Sequence, residues 1–215
     1  MKPRITLVHG WGYDATLWRA VLPLLAGLDV EVADLGYFGR PALPEPSAAP
    51  RIAVGHSLGT LWWLTAAAPP WQTLVAIGGF ARFTAAPDFP QGVAPRVLER
   101  MRRRFATTPA VVLADFRSAC GDQANATPPL PADTRALTQG LAVLSASDGR
   151  SALAQRQDDV IALAAHDDAI VPAAMSAAAF AALPDGKLHW LDSGGHLLPL
   201  TQPQTCADLI RAAAA

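Results

Sequence analysis

The sequence predicts an α/β protein: a mostly parallel sheet of about six strands, helices on both faces, and one helical insertion. Three observations point there. Short apolar runs alternate with helical stretches in the first third of the chain, and the runs lack the polar alternation of a half-exposed strand. The rhythm stops between about residues 80 and 150, where prolines 87, 90, 95, 109, 128, 129 and 131 punctuate helix-type segments and no buried strand is evident. From about Asp158 the alternation resumes. A chain of 215 residues suits one domain with a sizeable core, so the expectation is a single domain over 1–215 with a cap-like insertion at about 80–150.

Taken in order, "ITLVH" reads as a buried strand, "DATLWRAVLPLLAGL" as one helix, and "VEVADL" and "RIAVGH" as strands. Residues Leu58 to Ala68 have helical spacing and end before Pro69-Pro70, which cannot continue a helix. "TLVAIGG" is a fully apolar strand. After the insertion, "DVIALAAH" is a strand, Pro172 opens the helix "PAAMSAAAFAAL", and "GKLHWLD" is a strand. "HLLPL" then leads to a terminal helix over roughly 203–214.

Composition narrows the function classes. No apolar run approaches the roughly 18 residues of a membrane span, and the apolar run behind the basic N-terminus is too short for a signal-peptide core. Cys120 and Cys206 are the only cysteines and lie far apart, which predicts neither a disulfide framework nor a metal site, and places the protein in a reducing cytoplasm. A net charge of −1 argues against nucleic acid as a partner. The charge is unevenly spread, however. Between Arg82 and Arg117 seven arginines face three acids, a net of +4, on an otherwise acidic chain.

The chemistry centres on "RIAVGHSLGTLWWL". Here "GHSLG" fits G-x-S-x-G, with a strand before it and a helix after it. Glycines at 55 and 59 allow neighbouring backbone to pass close to a tight strand-to-helix turn. Ser57 would then project above the sheet, beside helix N–H groups able to hold an oxyanion. The competing reading is a helix-capping serine in a glycine-rich turn. A nucleophile also needs a base and an orienter, and these should follow other strand ends. The loop "DDAIVP" offers Asp167 and Asp168, and "SGGHLLP" offers His196. Their chain order, Ser, Asp, His, is the one found in this type of sheet. The oxyanion donors would be the N–H of Leu58 and that of Trp11 in "HGWG". His9 is read as bracing that loop, His56 as pointing away from the site, and His189 and His166 as ranking below His196.

On these residues the chain resembles the α/β-hydrolase superfamily throughout. Within it, the chain is most similar to the pimeloyl-[acyl-carrier-protein] methyl ester esterases of biotin synthesis. "LVHGWGYDATLWRAVLPLL" looks like that family's opening, "GHSLGTLWW" like its elbow, and "GGFARFTAAPDFPQGVAPRVLERMRRRF" like its entry to the cap. The family usually has Trp before the nucleophile, where this chain has His56. Its aspartate stands four residues before the proline of D-x-x-V-P, which selects Asp168. Matching implies substrate contacts at Trp11, Leu58, Phe83 and within Met101 to Phe105. Two departures are expected: the leading antiparallel strands are missing, and the cap is short.

Helical placement of residues 95–105 puts Val97, Leu98, Met101 and Phe105 on one face, and Arg96, Glu99, Arg100 and Arg103 on the other, with Arg102 and Arg104 flanking. The apolar face could roof an acyl channel. Arg96, Arg100, Arg102, Arg103 and Arg104 could attract an acidic acyl carrier protein. The expected activity is ester hydrolysis through an acyl-serine with no metal or organic cofactor. A broad short-chain carboxylesterase or thioesterase is the runner-up, and a non-catalytic binding protein of the same fold is the remaining alternative.

Overall fold

The computed structural model describes residues 1–66, 68–122 and 131–215. Ala67 and the stretch 123–130, which includes Pro128 and Pro129 of the expected insertion, lie outside the described residues. Six strands form one sheet: β1 (Arg4–Val8), β2 (Asp29–Ala33), β3 (Arg51–His56), β4 (Thr73–Ile77), β5 (Val160–Ala165) and β6 (Leu188–Leu191). They lie in the order β2-β1-β3-β4-β5-β6, and all five pairings are parallel.

Period-two geometry divides each strand between two cores. Ile5, Leu7, Ile52, Val54, Val75, Ile77 and Leu163 enter one cluster, while Val8, Ala53, Leu74, Ala76 and Ala162 enter another on the opposite face. With β3 buried along its whole length, the strand has no polar face to show in its sequence. The helices are α1 (Leu58–Thr65), α2 (Pro95–Thr107), α3 (Pro109–Ala119), α4 (Thr134–Ala146), α5 (Arg150–Gln155), α6 (Ala173–Ala179), α7 (Leu198–Thr201) and α8 (Pro203–Ala213). The amphipathic α8 buries Cys206, Ala207 and Ile210 against the first core. Cys120 and Cys206 are separate buried thiols. No helix of the described residues is long and apolar enough to cross a membrane.

Two expectations are corrected. "DATLWRAVLPLLAGL" is not one helix but two short 3-10 turns, Ala15–Trp18 and Leu22–Leu25. Asp14 caps the first through Thr16 N–H, and Pro23, lacking an N–H, denies a continuous helix the bond it would need there. The apolar spacing was real, since Leu17, Trp18, Val21 and Leu25 are buried, but it serves turns. Helix α1 also stops at Thr65, short of Ala68, because Ala66 is already extended (ψ 168°) on the way to Pro69-Pro70.

Helices α2, α3, α4 and α5 all fall between β4 and β5. Residues of α2, α3 and α4 (Leu98, Phe105, Val112, Leu113, Leu137, Leu141 and Leu144) form a third core with side chains just past strand ends: Trp11 after β1, Leu58 after β3, Phe80 after β4 and Val171 after β5. This apolar layer lies over the carboxyl ends of the sheet. There β1 and β3 are neighbours, because the chain turns one way from β1 to β2 and the other way to β3.

Candidate active site

Ser57 occupies the turn between β3 and α1 with φ 53° and ψ −122°, and it is the sole non-glycine residue with positive φ among the described residues. An L side chain held there costs on the order of 1–3 kcal/mol, which the surrounding structure must offset. The flanking glycines show why the turn can close. A Cβ on Gly55 would run into the backbone of Gly59 and Thr60, and one on Gly59 into the carbonyl oxygens of Val8 and His9. The motif therefore welds α1 against both β3 and β1.

His196 Nε2 lies 3.0 Å from Ser57 Oγ, and His196 Nδ1 lies 2.8 Å from Asp168 Oδ2. The Ser57, Asp168 and His196 side chains come from three separate strand ends and are buried. Between a carboxylate and a hydroxyl, the neutral ring carries its proton on Nδ1, donates it to Asp168 and accepts the Ser57 hydroxyl at Nε2. Burial alone would raise the Asp168 pKa. The positive charge His196 takes on when protonated, its hydrogen bond, and the N–H groups of Val171 and Ile170 outweigh burial and hold it below the usual carboxylate range. Asp168 Oδ1 accepts those two N–H groups, each at 2.8 Å. Asp167 does not reach the ring; its carboxylate accepts the N–H groups of Gly194 and Gly195.

The other histidines sort themselves by contact. His56 is fully buried beneath His196, ring centroids 4.9 Å apart, and its Nε2–H donates to the His196 carbonyl oxygen at 2.9 Å. Burial first, and the nearby His196 second, push its pKa down to about 3, so it stays neutral. Through that bond His56 supports the His196 main chain, a contact with no signal in the sequence. His166 and His189 are exposed, and His166 stacks on Trp190.

The loop "HGWG" passes directly over the serine: a Cβ on Gly10 would sit 2.9 Å from Ser57 Cβ. His9 accepts the Leu35 N–H at Nε2 (2.9 Å), so Nδ1 carries the proton and donates to the Gly10 carbonyl at 2.8 Å. That carbonyl shares a planar trans peptide with the Trp11 N–H, so fixing one fixes the direction of the other. Leu58 opens α1, and its N–H is among the first-turn donors that have no partner inside a helix. The Trp11 indole donates to the Leu137 carbonyl of α4 at 2.8 Å and meets Phe105 and Phe116 edge-on. Arg117 of α3 is buried, donates to the Gly12 carbonyl at 3.1 Å, and lies over the Tyr13 and Phe38 rings.

A cleft of about 370 Å³ opens beside this cluster, lined by Phe83, Val97, Leu98 and Met101, by Phe116 of α3, and by Ala169 and Ile170 next to Asp168. Of the expected substrate contacts, Phe83 and Met101 reach this cleft, whereas Phe105 and Trp11 pack under the helices and Leu58 is buried at the start of α1. Arg96, Arg100, Arg102, Arg103 and Arg104 are exposed on α2. Arg104 pairs with Asp115 at 2.9 Å, tying α2 to α3, and Arg102 and Arg103 lie 4.0 and 3.9 Å from Glu99. Exposed pairs of this kind contribute about 0–1 kcal/mol. Among the described residues no group of three His, Cys, Asp or Glu side chains is placed to hold a metal ion.

The chain is 33% identical to the pimeloyl-[acyl-carrier protein] methyl ester esterase of Aromatoleum aromaticum, over 97% of this chain and 97% of that protein. It is 30% identical to the protein of the same name from Methylococcus capsulatus, over 97% of this chain and 93% of that one. It is also 31% identical, over 94% of its length, to the biotin biosynthesis bifunctional protein BioHC of Cellvibrio japonicus, and spans 46% of that longer protein. No family model matches. Among solved structures, an esterase from Exiguobacterium antarcticum aligns with a TM-score of 0.84 at 14% identity, covering 99% of this chain and 92% of that one. A bromoperoxidase from Bacillus anthracis aligns with a TM-score of 0.82 at 19% identity and the same coverage. These neighbours share the α/β-hydrolase fold, and the chain belongs to the pimeloyl-[acyl-carrier protein] methyl ester esterase family.

Proposed function

We propose that the protein is a serine carboxylesterase that removes the methyl ester of pimeloyl-[acyl-carrier protein]. The observation that carries the reading is the buried chain from Ser57 Oγ to His196 (3.0 Å) to Asp168 (2.8 Å), built on a strained strand-to-helix turn. His196 Nε2 takes the serine proton as Oγ attacks the ester carbonyl. Asp168 holds the ring tautomer and stabilises the imidazolium. The N–H groups of Trp11 and Leu58 receive the oxyanion. Methanol leaves with the proton from His196. Water, deprotonated by the same nitrogen, then releases the carboxylate and restores Ser57. The segment between β4 and β5 acts as the cap, and Phe83 and Met101 line the acyl path. The names of the relatives support the choice of ester.

Carrier recognition is assigned to the exposed arginines of α2, chiefly Arg96, Arg100 and Arg103, which would steer an acidic carrier to the cleft. The acids beside Arg102, Arg103 and Arg104 favour a second reading, a general short-chain esterase whose arginines are balanced by acids of α2 and α3. One set of assays separates them. Hydrolysis of the carrier-bound methyl ester and of p-nitrophenyl butyrate is measured for the unaltered protein, for Ser57→Ala, and for the triple reversal of Arg96, Arg100 and Arg103 to Glu. Ser57→Ala should abolish both activities. The reversal should lower kcat/KM on the carrier-bound ester about tenfold or more and leave the small ester within about twofold. Equal loss on both substrates sinks carrier recognition, and full activity in Ser57→Ala sinks the serine mechanism.

A further inference from the structure

The adjacent pair Asp167-Asp168 has one member on the His196 ring, and the other faces the main chain that delivers that ring. Asp167 Oδ1 accepts the Gly195 N–H at 2.8 Å and Oδ2 the Gly194 N–H at 3.2 Å. Both glycines have positive φ, 144° and 63°, so the two residues ahead of His196 form the conformationally freest part of its loop. On the far side, Thr201 Oγ1 donates to the Gly194 carbonyl at 2.7 Å. The loops carrying Asp167 and His196 leave neighbouring strands whose last paired residues are Ala165 and Leu191, and the His166 N–H donates to the Leu191 carbonyl at 2.9 Å. One short turn after β5 thus carries two carboxylates at a fixed separation, one for the imidazole and one for the peptide groups just before it.

We propose that Asp167 is a positioning residue for His196: it pins the Gly194-Gly195 main chain so that the imidazole meets both Ser57 Oγ and Asp168. The inference rests on the proposed role of His196 as the base. A side chain must be held within about half an ångström for proton transfer, and small displacements of a catalytic group cost one to two orders of magnitude. Loss of two main-chain bonds at a glycine pair permits a displacement of that kind.

The test measures kcat and KM on p-nitrophenyl butyrate for Asp167→Ala and Asp167→Asn, each alone and in a His196→Ala background. Asp167→Ala should lower kcat about tenfold with KM within about twofold. Asp167→Asn keeps one carbonyl acceptor, should fall between Asp167→Ala and the unaltered protein, and carries the test if Asp167→Ala does not fold. On the His196→Ala background, where there is no ring left to position, both changes should alter the residual rate by less than about twofold. An unchanged kcat in the single variants overturns the proposal, and so does the same tenfold loss in the absence of His196, which would mark a structural role only. If His196→Ala itself keeps full activity, the proposed mechanism fails and the inference fails with it; if His196→Ala is inactive and Asp167→Ala is not, the inference alone fails.

Discussion

Replacing Asp168 with asparagine changes one atom in volume terms but inverts the hydrogen-bond chain. Asp168 Oδ1 is held by the N–H groups of Ile170 and Val171, both at 2.8 Å, so the amide of an asparagine must keep its oxygen there. The NH2 group then faces His196 Nδ1, where Oδ2 now lies at 2.8 Å. Two donors cannot share that gap, so the ring proton moves to Nε2 and points at Ser57 Oγ. A base whose lone pair is capped cannot accept the serine proton. Restoring the productive tautomer forfeits a charge-assisted hydrogen bond, about 1.5–3 kcal/mol, and strands a buried donor, about 1–3 kcal/mol more. At 1.36 kcal/mol per decade these add to a loss of about 10²–10⁴ in kcat, with KM little changed. Asp168→Ala inverts no tautomer but leaves the Ile170 and Val171 N–H groups without the carboxylate. Asp168→Ala should therefore be the more active of the two variants and the less stable. Steady-state kinetics on a small ester, with thermal melts of both proteins, test the pair. An asparagine variant retaining more than about a tenth of wild-type kcat, or one more active than the alanine variant, refutes the tautomer argument.

Two further outcomes follow from backbone and packing. Ser57→Gly removes both the proposed nucleophile and the positive-φ strain at φ 53°, so it should abolish esterase activity while raising the melting temperature by about 2–4 °C; a lower melting temperature counts against strain at this turn. Gly140→Ala on α4 places a Cβ 2.5 Å from the Tyr37 hydroxyl and 2.6 Å from Trp11 Cδ1. It should destabilise the protein by about 1–3 kcal/mol and lower kcat, since Trp11 must move; unchanged kinetics and melting would show that this packing has slack.

The strands were legible because β1, β3, β4 and β5 are buried on both faces, and burial on both faces writes itself as unbroken apolar sequence. Ser57 and Asp168 could be picked out as candidates for a related reason, since each closely follows such a run. His196 instead follows β6, a strand that is not fully buried and in which His189 is exposed, and was found only by its place in the loop after the last strand. The "LWRAVLPLL" stretch misled because apolar spacing at i and i+4 reports which residues face the core, not how many turns join them, and Pro23 divides the turns. Contacts made through main-chain groups left no trace. Nothing in "GHSLG" says that His56 reaches the His196 carbonyl 140 positions away. Asp167 was visible as an alternative to Asp168, but its actual partners are peptide N–H groups, which carry no residue identity. The nearest available signal was the two glycines ahead of His196, whose freedom calls for a tether.

The bond from the Trp11 indole to Leu137 bears on how this protein could be re-engineered. Helices inserted between two strands invite treatment as an exchangeable module, to be swapped for a change of substrate or trimmed for a smaller enzyme. Here the loop over Ser57 is fastened to α4 through Trp11 and to α3 through Arg117 and Gly12, while Phe105 of α2 packs on the same indole. A graft that replaced residues 95–146 alone would leave the "HGWG" loop without three of its supports. The unit of exchange therefore includes the loop after β1 and Tyr37 together with the helices, and chimaeras cut at the sequence boundaries of the insertion should fold into a sheet that no longer holds the loop over Ser57 in place.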